Sequence, residues 1–314
     1  MRKDVKDFKD KMPEITYASL EQAVADIYGN HVKMIRKEPV YGGSINNSYQ
    51  ISLSTGEKIF VKMNAENNFK FFTAEALGLW ALNAAGKIGV LQVLGMGKDA
   101  EKGCSFLLLD YMESTNRRKD YWETFGHELA ELHQAETSMF LNGEKNENFG
   151  FSEDNFIGSN EQKNSPKQTW IDFFRECRLL PQIKQAEAFF DLQTRKKLDY
   201  LLEHLEFYIR EPENPSLLHG DLWGGNVLCG NDGKAWLIDP AVYVGDLEAD
   251  LAMTQLFGSF PATFYEAYCE ITPIGSGYAE RKEIYNLYHL LNHLNLFGRA
   301  YLSEVKSVLN KYIG

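Results

Sequence analysis

Basic residues are in short supply in this chain of 314: 33 lysines and arginines stand against 44 aspartates and glutamates, a formal net charge of -11. A nucleic-acid partner is thereby disfavoured, because such surfaces are basic, and an anionic ligand has to be met by local devices. Cysteine is scarcer still. Cys104, Cys177, Cys229 and Cys269 are far apart and make no C-x-x-C pair or metal-like spacing, which reads as free thiols in a reducing cytosol. No run of eighteen apolar residues occurs, and Met1-Arg2-Lys3-Asp4-Val5-Lys6 holds no apolar stretch of signal-peptide length. The expectation is a cytoplasmic protein with no membrane partner. Internal repeats, long low-complexity tracts and a Walker-type glycine-lysine loop are also missing.

What is present is apolar material for sizeable cores: 44% hydrophobic and 13% aromatic residues. The length allows two domains or one large bilobal unit. The charged lead-in of residues 1–13 is expected to be poorly ordered, and Asn142 to Ser165, rich in Asn, Glu, Gly and Ser, reads as a surface excursion.

The most informative stretch is His219-Gly220-Asp221-Leu222-Trp223-Gly224-Gly225-Asn226, with Asp239 thirteen residues beyond Asn226. Taken alone, the first three residues are ordinary turn chemistry. The longer spacing points to phosphoryl transfer. There a loop aspartate accepts the proton of the acceptor hydroxyl, and an asparagine five residues on reaches magnesium. Asp221 and Asn226 have that spacing. Asp239 ends the apolar run Ala235 to Ile238 after the turn Asn231-Asp232-Gly233, so it reads as the second magnesium ligand. Two protein oxygens suffice for a cation that keeps waters and binds phosphates.

Upstream, Val32 to Ile35, Ser48 to Leu53 and Ile59 to Lys62 read as strands. Gly42, Gly43 and Ser44 lie between the first two. Their flexible backbone amides could approach a phosphate, although such a turn can equally be a plain hairpin. Lys62 ends an apolar strand, where an ammonium needs an anion nearby. The phosphates or Glu75, on a helix expected over Phe71 to Ala85, can supply it, the other reading being a surface lysine and a solvated glutamate. The apolar strand Phe106 to Leu109 runs into Asp110, Tyr111, Met112 and Glu113, placed as the hinge whose backbone meets the adenine. Helical periodicity follows over Tyr121 to Thr137, Leu198 to Ile209 and Ile284 to Leu294. His289 and His293 are four apart on that last helix, but without a third ligand they read as packing residues, as do His127 and His133.

With these residues in view, the chain resembles the fructosamine kinase, or ketosamine kinase, family, relatives of the aminoglycoside and choline kinases. The resemblance rests on Leu218 to Val227, Ile238-Asp239-Pro240-Ala241-Val242-Tyr243, Gly245 to Met253, Phe72-Thr73-Ala74-Glu75-Ala76 and Asp154 to Ser159 through Phe173 to Glu176, and spans about Leu20 to about Leu309. Val244 and Leu247 depart from the aromatic and basic residue expected there, and Gly224 replaces a serine. The glycine loop lacks the cysteine that some plant members are thought to use as a redox switch.

The resemblance implies a bilobal α+β protein-kinase-like fold: an N-terminal lobe over 14–112, an antiparallel sheet with one main helix, and a mostly α-helical lobe over 113–314. It implies ATP and Mg2+ as cofactors and transfer to the sugar 3-hydroxyl of a free or protein-bound ketosamine, a repair of glycated amines. Asp221, with an ordinary aspartate pKa near 4, would orient the hydroxyl and take its proton late; Trp223, otherwise a structural tryptophan, would line the sugar site. The rivals are a kinase of the same fold for an aminoglycoside, choline or homoserine, and a pseudokinase. Oligomeric state stays open, with a monomer as the default.

Overall fold

The structure, a computed structural model, describes residues 15–40, 46–141 and 148–314. The lead-in and the glycine-loop residues Gly42, Gly43 and Ser44 lie outside the described residues.

Six strands form the main sheet: β1 (Thr16–Tyr17), β2 (Met34–Val40), β3 (Asn47–Leu53), β4 (Lys58–Ala65), β6 (Val93–Asp99) and β7 (Cys104–Asp110). They lie in the order β1-β6-β7-β4-β3-β2. The pairs are antiparallel, as expected, except β1 with β6, which run parallel at one edge. The strand expected from Val32 begins two residues later, because the Val32 N–H is spent on the Gly29 carbonyl in a turn at 3.0 Å. β4 runs on to Ala65, which puts Lys62 within the strand rather than at its end.

Strand alternation decides what faces the site. Ile59 and Val61 join Phe106, Leu108, Ile51 and Leu53 in a core beneath α1 (Leu20–Tyr28). Phe60, Leu107 and Leu109 face the opposite way, onto α2 (Phe69–Ala85). Lys62 shares the parity of Phe60, so it points toward α2. On that helix Phe72, Ala76 and Leu79 are buried, and Glu75, between them on the same face, points back at the sheet.

Beyond β7 the chain is mostly helical. α3 (Tyr121–His133), α4 (Trp170–Phe173), α5 (Leu180–Gln185), α6 (Leu192–Glu203), α7 (Leu247–Met253), α8 (Ala262–Ile271), α9 (Tyr278–Phe297) and α10 (Leu302–Tyr312) carry one large core continuous with the inner face of the sheet. α3 packs on α8 at Gly126, where a Cβ would meet the Phe264 carbonyl oxygen. α3 stops four residues short of the expected Thr137, closing with an Ala135 N–H to Leu132 carbonyl bond of 3.1 Å. α6 also ends early. Its apolar rhythm passes into a 3-10 turn, Leu205–Phe207, that still buries Leu205 and Ile209.

Among the described residues, seven short strands lie outside the main sheet: β5 (Gly89–Val90), β8 (Asn155–Ile157), β9 (Asn160–Gln162), β10 (Ser216–Leu218), β11 (Val227–Cys229), β12 (Ala235–Leu237) and β13 (Tyr243–Gly245). β11 pairs antiparallel with β12, and β10 with β13. The segment expected as a surface excursion is instead built inward from Asn148 onward. Phe149, Phe151, Asn155, Ile157, Gln162 and Asn164 are buried, because the amide side chains satisfy main-chain carbonyls that no strand pairs.

Candidate active site

A cleft of about 1120 Å³ separates the inner face of the sheet from the helices. Lys62, Glu75, Asp221, Trp223, Asn226 and Asp239 all line it. Residues scattered over nearly 180 positions are thus brought together.

On the sheet side, the Lys62 ammonium donates to Glu75 Oε1 at 2.6 Å and also to the Asp239 carboxylate. Lys62 is only 7% exposed. Burial alone would lower its pKa, but Asp239 and then Glu75 reverse the effect and hold it well above the ordinary lysine range. Burial pushes Glu75 upward, against the pull of the Lys62 charge. Asp239 has φ of 53°, the left-handed region, where it is the single non-glycine among the described residues. Such a conformation costs on the order of 1–3 kcal/mol and persists only where neighbours enforce it.

On the helical side, Gly220 at φ of 81° makes the turn into the catalytic loop, and a Cβ there would strike the Ala241 carbonyl oxygen. His219 locks the turn to the Asp239 strand: its Nε2–H donates to the Ile238 carbonyl at 2.9 Å, and its Nδ1 accepts the Asp221 N–H at 3.3 Å. Burial lowers the His219 pKa, so the ring stays neutral, as this tautomer requires. Asn226 Nδ2 donates to the Asp221 carbonyl at 2.8 Å and to its Oδ2 at 3.0 Å. The Asn226 Oδ1 is thereby turned away from Asp221.

The expectation of an ordinary aspartate at 221 needs correction. Burial pushes the carboxyl up to about 7, with Asn226 opposing and the Asp239 and Asp250 charges adding to the rise. A carboxyl raised toward neutrality is better matched to accepting a proton than one at 4.

Asp110, Tyr111 and Met112 line the cleft, while Glu113 turns outward to Lys58 at 3.3 Å. The Asp110 side chain accepts the Gln92 N–H at 2.6 Å and its own N–H donates to the Gln92 carbonyl at 3.0 Å. That residue is a strand-end clamp. Trp223 is 38% exposed rather than buried, and its ring lies 6.2 Å from Phe257, which stacks on His293 at 4.7 Å. His133 bonds Tyr268 and Asp250, and His127 bonds Glu270.

The oxygen donors of Asn226 and Asp239 fit a hard divalent cation, since Asn226 Nδ2 is committed elsewhere and the Asp239 carboxylate already faces a positive charge. Among the described residues no cluster of three or more His, Cys, Asp or Glu side chains suits a metal.

Sequence reasoning missed the role of Asp250. Its carboxylate, 1% exposed, accepts the N–H groups of His219 at 2.7 Å and Gly220 at 2.9 Å. The available signal was an acid within the apolar run Leu247 to Met253.

A strand lysine paired to a helix glutamate, facing a loop aspartate and a strand-end aspartate across a cleft, defines a kinase-like phosphotransferase. The chain belongs to the fructosamine kinase family, whose model matches residues 16–314, and it is an ATP-dependent phosphotransferase. It is 40% identical over 301 residues to a Synechocystis chain named a probable ketoamine kinase, covering 94% of this chain and 96% of that one. A chloroplastic protein-ribulosamine 3-kinase of Arabidopsis thaliana is 34% identical, with 91% and 85% covered. A crystal structure from Haemophilus somnus with a provisional fructosamine-3-kinase name superposes with a TM-score of 0.80 at 31% identity, covering 94% and 97%. No helix among the described residues is long and apolar enough to cross a membrane.

Proposed function

We propose that the chain transfers the γ-phosphoryl group of ATP to the sugar 3-hydroxyl of a ketosamine, a fructosamine- or ribulosamine-type adduct, in the cytoplasm. The phosphorylated adduct is unstable and releases the amine, so the reaction is a deglycation repair. The observation that carries the reading is Asp221. Its carboxylate, fixed by Asn226 at 3.0 Å, stands beside the exposed Trp223 in the same cleft as the Lys62, Glu75 and Asp239 cluster.

The chain's residues divide the work. Asp221 orients the acceptor hydroxyl and receives its proton as the O–P bond forms and the bond to the ADP oxygen breaks. Positioning of this kind supplies roughly 7–11 kcal/mol of a barrier. Lys62, oriented by Glu75, neutralises phosphate charge. Asn226 and Asp239 would hold Mg2+, which screens the phosphate oxygens when bound. Tyr111 and Met112 offer the hinge to the adenine, dividing the chain into lobes over 14–112 and 113–314, and Trp223 lines the sugar.

Phosphorylation of synthetic ribulosamine and fructosamine with Mg2+ and ATP, with the product mapped by NMR, tests this. Phosphate on O3 is expected. Turnover only with an aminoglycoside, choline or homoserine, or with no acceptor at all, would overturn it.

A further inference from the structure

The β8–β9 hairpin touches two elements of the proposed phosphate site, the segment after Asp239 and α2. On one side, Gln162 Nε2 donates to the Ala241 carbonyl at 2.9 Å and to Asn155 Oδ1 at 2.7 Å, and Asn155 Nδ2 donates to the Val242 carbonyl at 2.7 Å. Gln162 Oε1 accepts the Tyr288 hydroxyl at 2.6 Å. Gln162 and Asn155 are 1% and 5% exposed. Ala241 is therefore held from both ends, because its N–H donates to the His219 carbonyl at 2.9 Å. It stands two residues after Asp239, whose left-handed backbone needs such enforcement.

On the other side, the Phe156 ring packs on Phe71 with centroids 4.3 Å apart. Phe71 lies four residues before Glu75 on α2, one turn away on the same face. The third corner of the hairpin is tied to α9, where Asn160 Nδ2 donates to Asn292 Oδ1 at 2.8 Å. Residues Asn155 to Ser159 also line the cleft.

We propose that this hairpin is a strut that sets the two halves of the phosphate site in register, Gln162 positioning Asp239 through Ala241 and Phe156 positioning Glu75 through Phe71. Neither residue contacts the reacting atoms. Both are positioning residues. The inference rests on the reading of Asp239 as a cation ligand and is independent of which acceptor is phosphorylated. The energetic reason is saturation: each buried amide group has its partner, so losing one leaves a buried carbonyl unpaired and frees the loop after Asp239 to relax.

The test is the Mg2+ dependence of binding of a fluorescent ATP analogue to the full chain, with no acceptor present. Gln162→Met keeps the length of the side chain and removes its hydrogen bonds. Gln162 reaches Asp239 only through the chain from Ala241, so the Mg2+ half-saturation point should rise by about tenfold, the low end of what losing a direct outer partner of a metal ligand costs. Tyr288→Phe, which deletes one bond and no volume, should raise it by a smaller factor, and Phe156→Leu should weaken nucleotide binding at saturating Mg2+. Gln185→Ala removes an exposed 2.9 Å bond to Asn160 on the same hairpin and should change neither quantity. An unchanged Mg2+ point in folded Gln162→Met overturns the proposal. Should that variant fail to fold, an unchanged point in Tyr288→Phe overturns it instead. Wild type that binds nucleotide with Mg2+ but phosphorylates no ketosamine defeats the proposed function and leaves the strut standing.

Discussion

Asp250 fixes the catalytic loop through the main chain of His219: one carboxylate oxygen accepts the His219 N–H at 2.7 Å, and the other accepts the N–H of Gly220 at 2.9 Å. Asp221 follows directly, so the proposed base is held in place by a residue 29 positions away.

Asp250→Asn should therefore act on catalysis without touching substrate. An amide offers one acceptor where two are used, leaving a buried N–H unpaired at roughly 1–3 kcal/mol. Misplacing a base by about 1 Å costs on the order of 100-fold in rate. A kcat lowered by about that factor with the KM for ATP nearly constant, measured by coupled ADP release, is the expected result.

Asp221→Ala should lower kcat by about 10²- to 10⁴-fold, the usual share of a general base, with ATP affinity retained by calorimetry. The wild-type pH profile carries a second signature. With the carboxyl pushed up to about 7 by burial, the proton-accepting form is lost as pH falls, so kcat/KM for the acceptor should rise through neutrality and level off above it. A cation on Asp239 removes part of the charge that raises this pKa, so higher Mg2+ should move the limb to lower pH. A flat profile from pH 5.5 to 8.5 would count against Asp221 as the base.

Trp223→Ala tests the acceptor wall. The ring is exposed to the cleft and braced by Phe257, and loss of such a face is worth about 1 kcal/mol. Acceptor KM should rise by about five- to tenfold, a factor that corresponds to this energy, while the KM for ATP stays within about twofold. Equal effects on both would make Trp223 structural.

His289 should make the fold acid-sensitive. Burial, with the neighbouring His293 adding to it, pushes its imidazole down to about 3, against about 6.5 in an unfolded chain. Between these values the unfolded chain binds a proton that the folded one refuses. The stabilisation is complete above pH 6.5 and is lost as pH falls toward 3, by at most about 1.4 kcal/mol per pH unit. Urea unfolding at pH 7.5 and 4.5 should show a smaller loss in His289→Phe than in wild type. His219, also lowered by burial, and Asp246, raised to about 6 by burial, contribute equally to both chains.

Legibility followed the range of each interaction. Asp221, Asn226 and Asp239 could be read because a loop and a short hairpin fix their mutual placement, and Lys62 with Glu75 because strand parity and helix phase point them together. Asp250 and Gln162 could not. Their partners are main-chain N–H and C=O groups brought near by distant folding, and any residue type supplies those. The polar composition of the hairpin was misread for the same reason, since buried amides bonded to carbonyls look, in sequence, like solvated ones. At Trp223 sequence weighed burial equally with exposure, because the indole rests against Gly225 and Phe257 while staying open to the cleft.

The left-handed backbone of Asp239 sets stability against activity at a single position. Glycine would occupy that conformation without strain, and asparagine with less, yet neither brings a carboxylate to Lys62. A screen for thermal resistance that ignored turnover would weigh that relief against loss of the ion pair that Asp239 makes with the buried Lys62. One that demanded turnover would hold the aspartate, and the strain would have to be absorbed by the scaffold around it.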